Sequence, residues 1–137
     1  MELAEVMTPD PVVCPSNASV LDAAMLMRDQ AIGDVLVERD GQLMGIVTDR
    51  DIVVRAVAEA REPSSVTLGE ICTEDVHSVT IDTSVDDVVR IMNDSAVRRV
   101  PVVENGRPVG IVALGDLAVA RDRETVLGNI SAAAPND

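Results

Sequence analysis

The chain is one unit written twice. Shifting the sequence by 65 positions lays Met7–Arg55 over Cys72–Ala120 without a gap, and 16 of the 49 aligned positions are identical. At ordinary composition about three or four identities would arise by chance. The matches include Thr8/Thr73, Ser19/Ser84, Asp22/Asp87, Met27/Met92, Gly41/Gly106, Gly45/Gly110, Ile46/Ile111, Val47/Val112 and Asp51/Asp116. A repeat of this kind predicts one structural unit used twice, packed about a pseudo-two-fold axis. The expected division is 1–61 for the first copy, 62–67 for a linker, 68–123 for the second copy and 124–137 for a helix end and frayed tail.

Each copy has the same order of signals. A short apolar stretch comes first, Pro11–Pro15 or His77–Ile81, and is expected to be a strand. A helix then starts at Ser19 or Ser84, where Ser-x-x-Asp has the form of a capping box. In the second copy Val85, Val88, Val89 and Met92 fall on one helical face. The first copy is apolar nearly all round from Val20 to Met27, which predicts a helix covered on two sides. A hairpin follows, turning at Asp40-Gly41 or Asn105-Gly106, because both turn positions want φ > 0. Pro101 places its strand at an edge or a bulge. A closing helix is expected over Asp51–Arg61 and over Asp116 to about Ile130. Leu3–Met7 and Thr67–Ile71 read as short turns leading into the two copies. The fold class is therefore α/β (α+β), strand–helix–strand–strand–helix, twice.

Composition narrows the chemistry. All 11 basic residues are Arg, and there is no Phe, Trp or Tyr. Without Lys there is no Schiff base and no P-loop lysine. Without aromatics there is no platform on which single-stranded bases can stack. The net charge of −13 opposes nucleic acid and anionic membranes, although a few clustered Arg could still hold a small anion. Cys14, Cys72 and the one histidine, His77, have no metal-ligand spacing, so no metal site is expected and both thiols are read as buried and reduced. No signal peptide or membrane-spanning run is read, and the expected location is the cytoplasm. No Ser-His-Asp or Cys-His arrangement suggests a catalyst.

Three phrases in this order carry a resemblance: Val6-Met-Thr-Pro-Asp-Pro11, Gly45-Ile-Val-Thr-Asp-Arg-Asp51 and Val97-Arg-Arg-Val-Pro-Val-Val103. The chain resembles the CBS domain, present as a tandem pair (a Bateman module), and is similar to the small stand-alone CBS proteins of actinobacteria. The resemblance implies a non-catalytic regulatory module that senses an adenosine nucleotide between the repeats and dimerises through its helices. It implies that Asp51 binds the ribose hydroxyls and that Thr48 lies near ribose or phosphate. AMP, ADP or ATP would then be a regulatory ligand, with no cofactor required.

The residues support that assignment and also admit plainer ones. A carboxylate can accept two hydrogen bonds from a cis-diol, and Thr48 with the amides of a helix start can hold a phosphate. Thr48-x-x-Asp51 is equally a helix cap. Gly45 is expected to let a ligand approach the backbone. Val12, Val13, Ile32 and Ile46 are candidates to enclose adenine, and each is also a candidate for plain core. Arg50 is a further candidate that could equally point to solvent. In the second copy Asp116 remains but Ala113 replaces the Thr, and Arg98-Arg99 replaces Gly33-Asp34. Arg98 and Arg99 suit phosphate, or else form surface ion pairs. The expectation is two unequal sites, with the arginines belonging to the second. The competing reading is a ligand-free dimeric module that docks on an unidentified protein partner.

Overall fold

The computed structural model describes residues 1–74 and 76–128. The first copy runs α1 (Leu3–Val6), β1 (Thr8–Pro9), β2 (Val13–Pro15), α2 (Val20–Gln30), β3 (Asp34–Arg39), β4 (Gln42–Thr48) and α3 (Asp49–Ile52), which continues as one π-helical stretch over Val53–Val57. The second runs α4 (Leu68–Ile71), α5 (Val85–Ser95), β5 (Arg99–Glu104), β6 (Arg107–Ala113) and α6 (Leu114–Gly128).

Both hairpins form as their turn residues require. Asp40 and Gly41 have φ of 54° and 78°, and Asn105 and Gly106 have 54° and 81°. Each ladder slips by one residue at matching places, between Val37 and Glu38 and between Val102 and Val103. Pro101 lies on an edge strand, since the sheet order is β1-β6-β5. The other sheet is β2-β3-β4.

The two copies exchange their leading segments. β1 belongs to the first copy by sequence but pairs antiparallel with β6 of the second, Thr8 opposite Ile111. Thr73, the repeat mate of Thr8, forms a bridge with Ile46 of β4. Burial follows the same exchange. Leu68, Ile71 and Cys72 complete the core of the first copy with Val20, Ala23, Val35, Val37 and Val47. Leu3 and Val6 complete the core of the second with Val88, Met92, Val100, Val102 and Val112. A smaller apolar cluster of Leu36, Ile46 and Ile111 draws from both hairpins. Val66, in the expected linker, is 3% exposed and packs in the first core.

Several expectations are corrected. His77–Ile81 is no strand; only Val79 forms a bridge, parallel to Val102, with its N–H donating to the Pro101 carbonyl. α2 is covered on one side only, because Leu21 and Met25 are 41% and 42% exposed. Its apolar ring marks an unburied face. The closing helices begin two residues earlier than expected, at Asp49 and Leu114. The first ends its helical run at Val57, and Ala60, with a left-handed φ of 56°, turns the chain out of the helix before Arg61. Only the serine arm of each Ser-x-x-Asp box forms, with Asp22 N–H donating to Ser19 Oγ and Asp87 N–H to Ser84 Oγ. The expected Ile130 end and tail lie outside the described residues.

Candidate ligand cleft

Strand β4 ends at Thr48, and α3 starts there because Thr48 and Asp51 close a full capping box. The Asp51 N–H donates to Thr48 Oγ1 at 3.1 Å, and the Thr48 N–H donates to Asp51 Oδ2 at 2.9 Å. This satisfies two orphan amides of the helix start and fixes both side chains. Asp51 Oδ1 is left 3.9 Å from Arg55 Nε. Arg55 in turn donates to the Ile71 carbonyl at 2.8 Å and to Thr73 Oγ1 at 3.3 Å. The cap of the first copy is thus tied to the leading segment of the second.

Ile46, Thr48 and Asp51 line a cleft of about 210 Å³ whose other walls are Thr73, Val97, Arg98 and Arg99. The space is smaller than the roughly 300–1,000 Å³ of ordinary ligand pockets. The arginines come from the start of β5, where the Arg98 carbonyl accepts from the Leu114 N–H at 2.8 Å. Its repeat mate, the Gly33 carbonyl, accepts from the Asp49 N–H at 3.0 Å. Arg99 Nε lies 2.5 Å from Asp34 Oδ2. Arg98 is exposed and has no ion pair among the described residues.

Arg98 and Arg99 also border a second hollow of about 470 Å³ with Ala113, Leu114, Gly115 and Ala118, but Asp116 does not line it. The arginines thus stand beside the degenerate motif of their own copy and also share a cleft with the intact Thr48–Asp51 motif of the other. Gly45 is explained differently. A Cβ there would collide with the Thr73 carbonyl oxygen and sit 3.0 Å from Cys72 Sγ. The backbone that Gly45 admits is the chain's own. Val12, Val13, Ile32 and Arg50 are also absent from the lining of the cleft. Val12 and Ile32 pack against the first core, and Val13 packs against the Leu36–Ile46–Ile111 cluster. Sequence reasoning missed Thr73, Val97 and Arg55. The Thr8/Thr73 identity was the available signal for Thr73.

Burial raises the Asp34 carboxyl above its ordinary value near 3.8, the charge and hydrogen bond of Arg99 pull it back, and Asp49 lifts it again. Burial likewise pushes both thiols up, with Asp22 adding to the effect at Cys14 and Glu74 at Cys72. Both cysteines are free and buried, and neither has the lowered pKa of a nucleophile. Among the described residues no group of three His, Cys, Asp or Glu could hold a metal. Among them, too, no helix is long and apolar enough to cross a membrane.

Two repeats of one α/β unit, exchanging their leading strands around a cleft, define a tandem-repeat module. The chain belongs to the CBS domain family, which matches residues 3–57 and 68–123. It is 38% identical over 130 residues to the uncharacterized protein YlbB of Bacillus subtilis, covering 93% of this chain and 87% of that one. Hypoxic response protein 1 of Mycobacterium tuberculosis is 36% identical over 109 residues, covering 78% and 76%. A crystal structure of Hypoxic Response Protein I with two coordinated zinc ions has a TM-score of 0.77 at 30% identity, covering 88% and 98%. The CBS domain pair of protein MJ0100, solved with 5′-methylthioadenosine and S-adenosyl-L-methionine, has a TM-score of 0.80 at 28% identity, covering 90% and 98%.

Proposed function

We propose that this chain is a regulatory, non-catalytic module that binds an adenosine nucleotide in the cleft between Thr48–Asp51 and Arg98–Arg99. One observation carries the reading: the ribose motif of one repeat and the paired cations of the other face the same space. Asp51 Oδ1 would accept from a ribose hydroxyl, since Oδ2 is engaged by the Thr48 amide. The Thr48 hydroxyl accepts from the Asp51 amide and keeps its own proton to donate to a ligand oxygen. Arg98 would meet the phosphate, and Ile46 and Val97 would pack on adenine. AMP, ADP and ATP fit these cations better than the phosphate-free adenosine compounds bound by MJ0100. Occupancy would shift the arrangement of the repeats only by the ligand's difference in affinity for the two states. In this reading 1–61 and 68–123, joined by 62–67, act as one unit in the cytoplasm, with no partner of nucleic acid or membrane.

The test is calorimetry with AMP, ADP and ATP against the wild-type chain and Asp51→Ala. Binding that weakens at least tenfold in the variant supports the site. No heat from any nucleotide at millimolar concentration sinks the function, and binding unchanged by Asp51→Ala sinks the site.

A second reading rests on a separate observation. Val53, Val54 and Val57 of the π-helical stretch, Leu21 and Met25 of α2, and Leu114 and Val119 of α6 are all exposed. Such apolar helical surface suits a second copy of the chain, or another protein, whether or not a ligand binds. Nucleotide released on denaturing the purified protein would count against the ligand-free form of this reading.

A further inference from the structure

We infer that Asp34 sets how much anionic charge the cleft accepts, so that the chain selects adenosine ligands carrying one phosphate over those carrying several. The inference rests on the adenosine reading above. Of the two cleft arginines, Arg99 is the one already engaged, with Asp34 Oδ2 2.5 Å from its Nε. A methyl built on Gly33 would lie 3.3 Å from Asp49 Oδ2 and 3.9 Å from Arg99 Nη2, and Asp49 is close enough to act on Asp34 as a like charge, so a second carboxylate stands near the pair beyond ion-pair distance of Arg99. Asp34 is the less exposed partner of the pair, at 22% against 39%, so its charge is the less screened by water. On the helical run that Thr48 caps, Arg55 Nε stands 3.9 Å from Asp51 Oδ1. Among the described residues Arg98 is the one cleft cation with no ion pair, which suffices for one phosphate group. Further phosphates would have to compete with Asp34 for Arg99 and would meet Asp34 and Asp49 as like charges.

A unit charge at this range changes the affinity for each added anionic charge by roughly five- to tenfold. The experiment is calorimetry in magnesium-free buffer with adenosine, AMP, ADP and ATP against the wild-type chain, Asp34→Asn and Arg99→Gln. Wild type is expected to bind AMP at least as tightly as ATP. Asp34→Asn should move the ATP-to-AMP preference about tenfold toward ATP and leave adenosine within about twofold. Arg99→Gln removes the same ion pair from its other end and leaves Asp34 bare, so it should move the preference the opposite way. If both variants bind but neither moves that ratio, the charge assignment is overturned and the adenosine reading survives. If no adenosine compound binds any of the three proteins, both fall together.

Discussion

Arg99 is bound by Asp34, the residue that fills its own place in the other repeat. The two stand 65 positions apart in the sequence and 2.5 Å apart, Nε to Oδ2, in the fold. Duplication made the two positions equivalent, and divergence gave them opposite charges. The two-fold packing then brought them together, so the pair both closes the repeat interface and sits beside the cleft.

Asp34 makes stability fall with rising pH. Burial holds its carboxyl above the ordinary 3.8 despite the opposing pull of Arg99. The native state therefore keeps a proton that the unfolded chain has already released. For a group raised in this way, stability declines as pH climbs from the unfolded pKa through the folded one, then levels off. Asp34→Asn should remove this decline. Urea midpoints of wild type and variant, compared from about pH 3.5 to pH 7, should separate in the variant's favour as pH rises. Parallel curves would show that Asp34 does not titrate differently in the two states.

Gly45 and Gly110 are repeat mates with unequal tolerance. A Cβ on Gly45 meets the Thr73 carbonyl, which is backbone and cannot step aside. A Cβ on Gly110 meets chiefly Met7 Sδ at 2.6 Å, the end of a flexible side chain, with Thr8 O at 3.2 Å. Gly45→Ala should cost about 3 kcal/mol and Gly110→Ala about 1 kcal/mol, read from urea denaturation. Equal costs would mean that the two leading segments are held with equal freedom.

The Thr48 cap has a stability role separable from ligand binding. Thr48→Val removes the acceptor for the Asp51 amide and should cost about 1 kcal/mol in ligand-free protein. The mate position offers the converse. Ala113→Thr supplies α6 with the missing hydroxyl and should stabilise by about 0.5 kcal/mol. Thermal melts without nucleotide check both, and a neutral Thr48→Val would deny the cap any structural weight.

Val57 is the most exposed of the large apolar side chains on the closing helix of the first copy, at 58%. If a second copy covers this face, Val57→Glu buries a charge at the interface and should convert a dimer to a monomer at micromolar concentration. Sedimentation velocity decides it. A wild-type chain that already sediments as a monomer removes the homodimer from the proposal.

Much of the fold was legible because it is local. Asp40-Gly41 and Asn105-Gly106 dictate their turns through φ alone, and the 65-residue shift announces two equivalent units without reference to contacts. Other features depend on what lies opposite. Val20–Met27 reads as a helix covered on two sides, yet Leu21 and Met25 face outward, since periodicity reports apolar surface and not its cover. His77–Ile81 has the spelling of a strand, but only Val79 finds a partner.

By itself, the sequence determined the repeat, the hairpins, the Thr48–Asp51 cap and the family. Which residues share a cleft was settled only in three dimensions. Pairing each leading segment with the other repeat's last strand buries Leu3, Val6, Leu68 and Ile71 in the opposite cores. That exchange carries Arg98 and Arg99 across to Thr48 and Asp51. It also fills the space at Gly45 with the Thr73 carbonyl and leaves Asp34 holding Arg99. Those contacts join residues far apart in the chain, so local propensity could not have specified them.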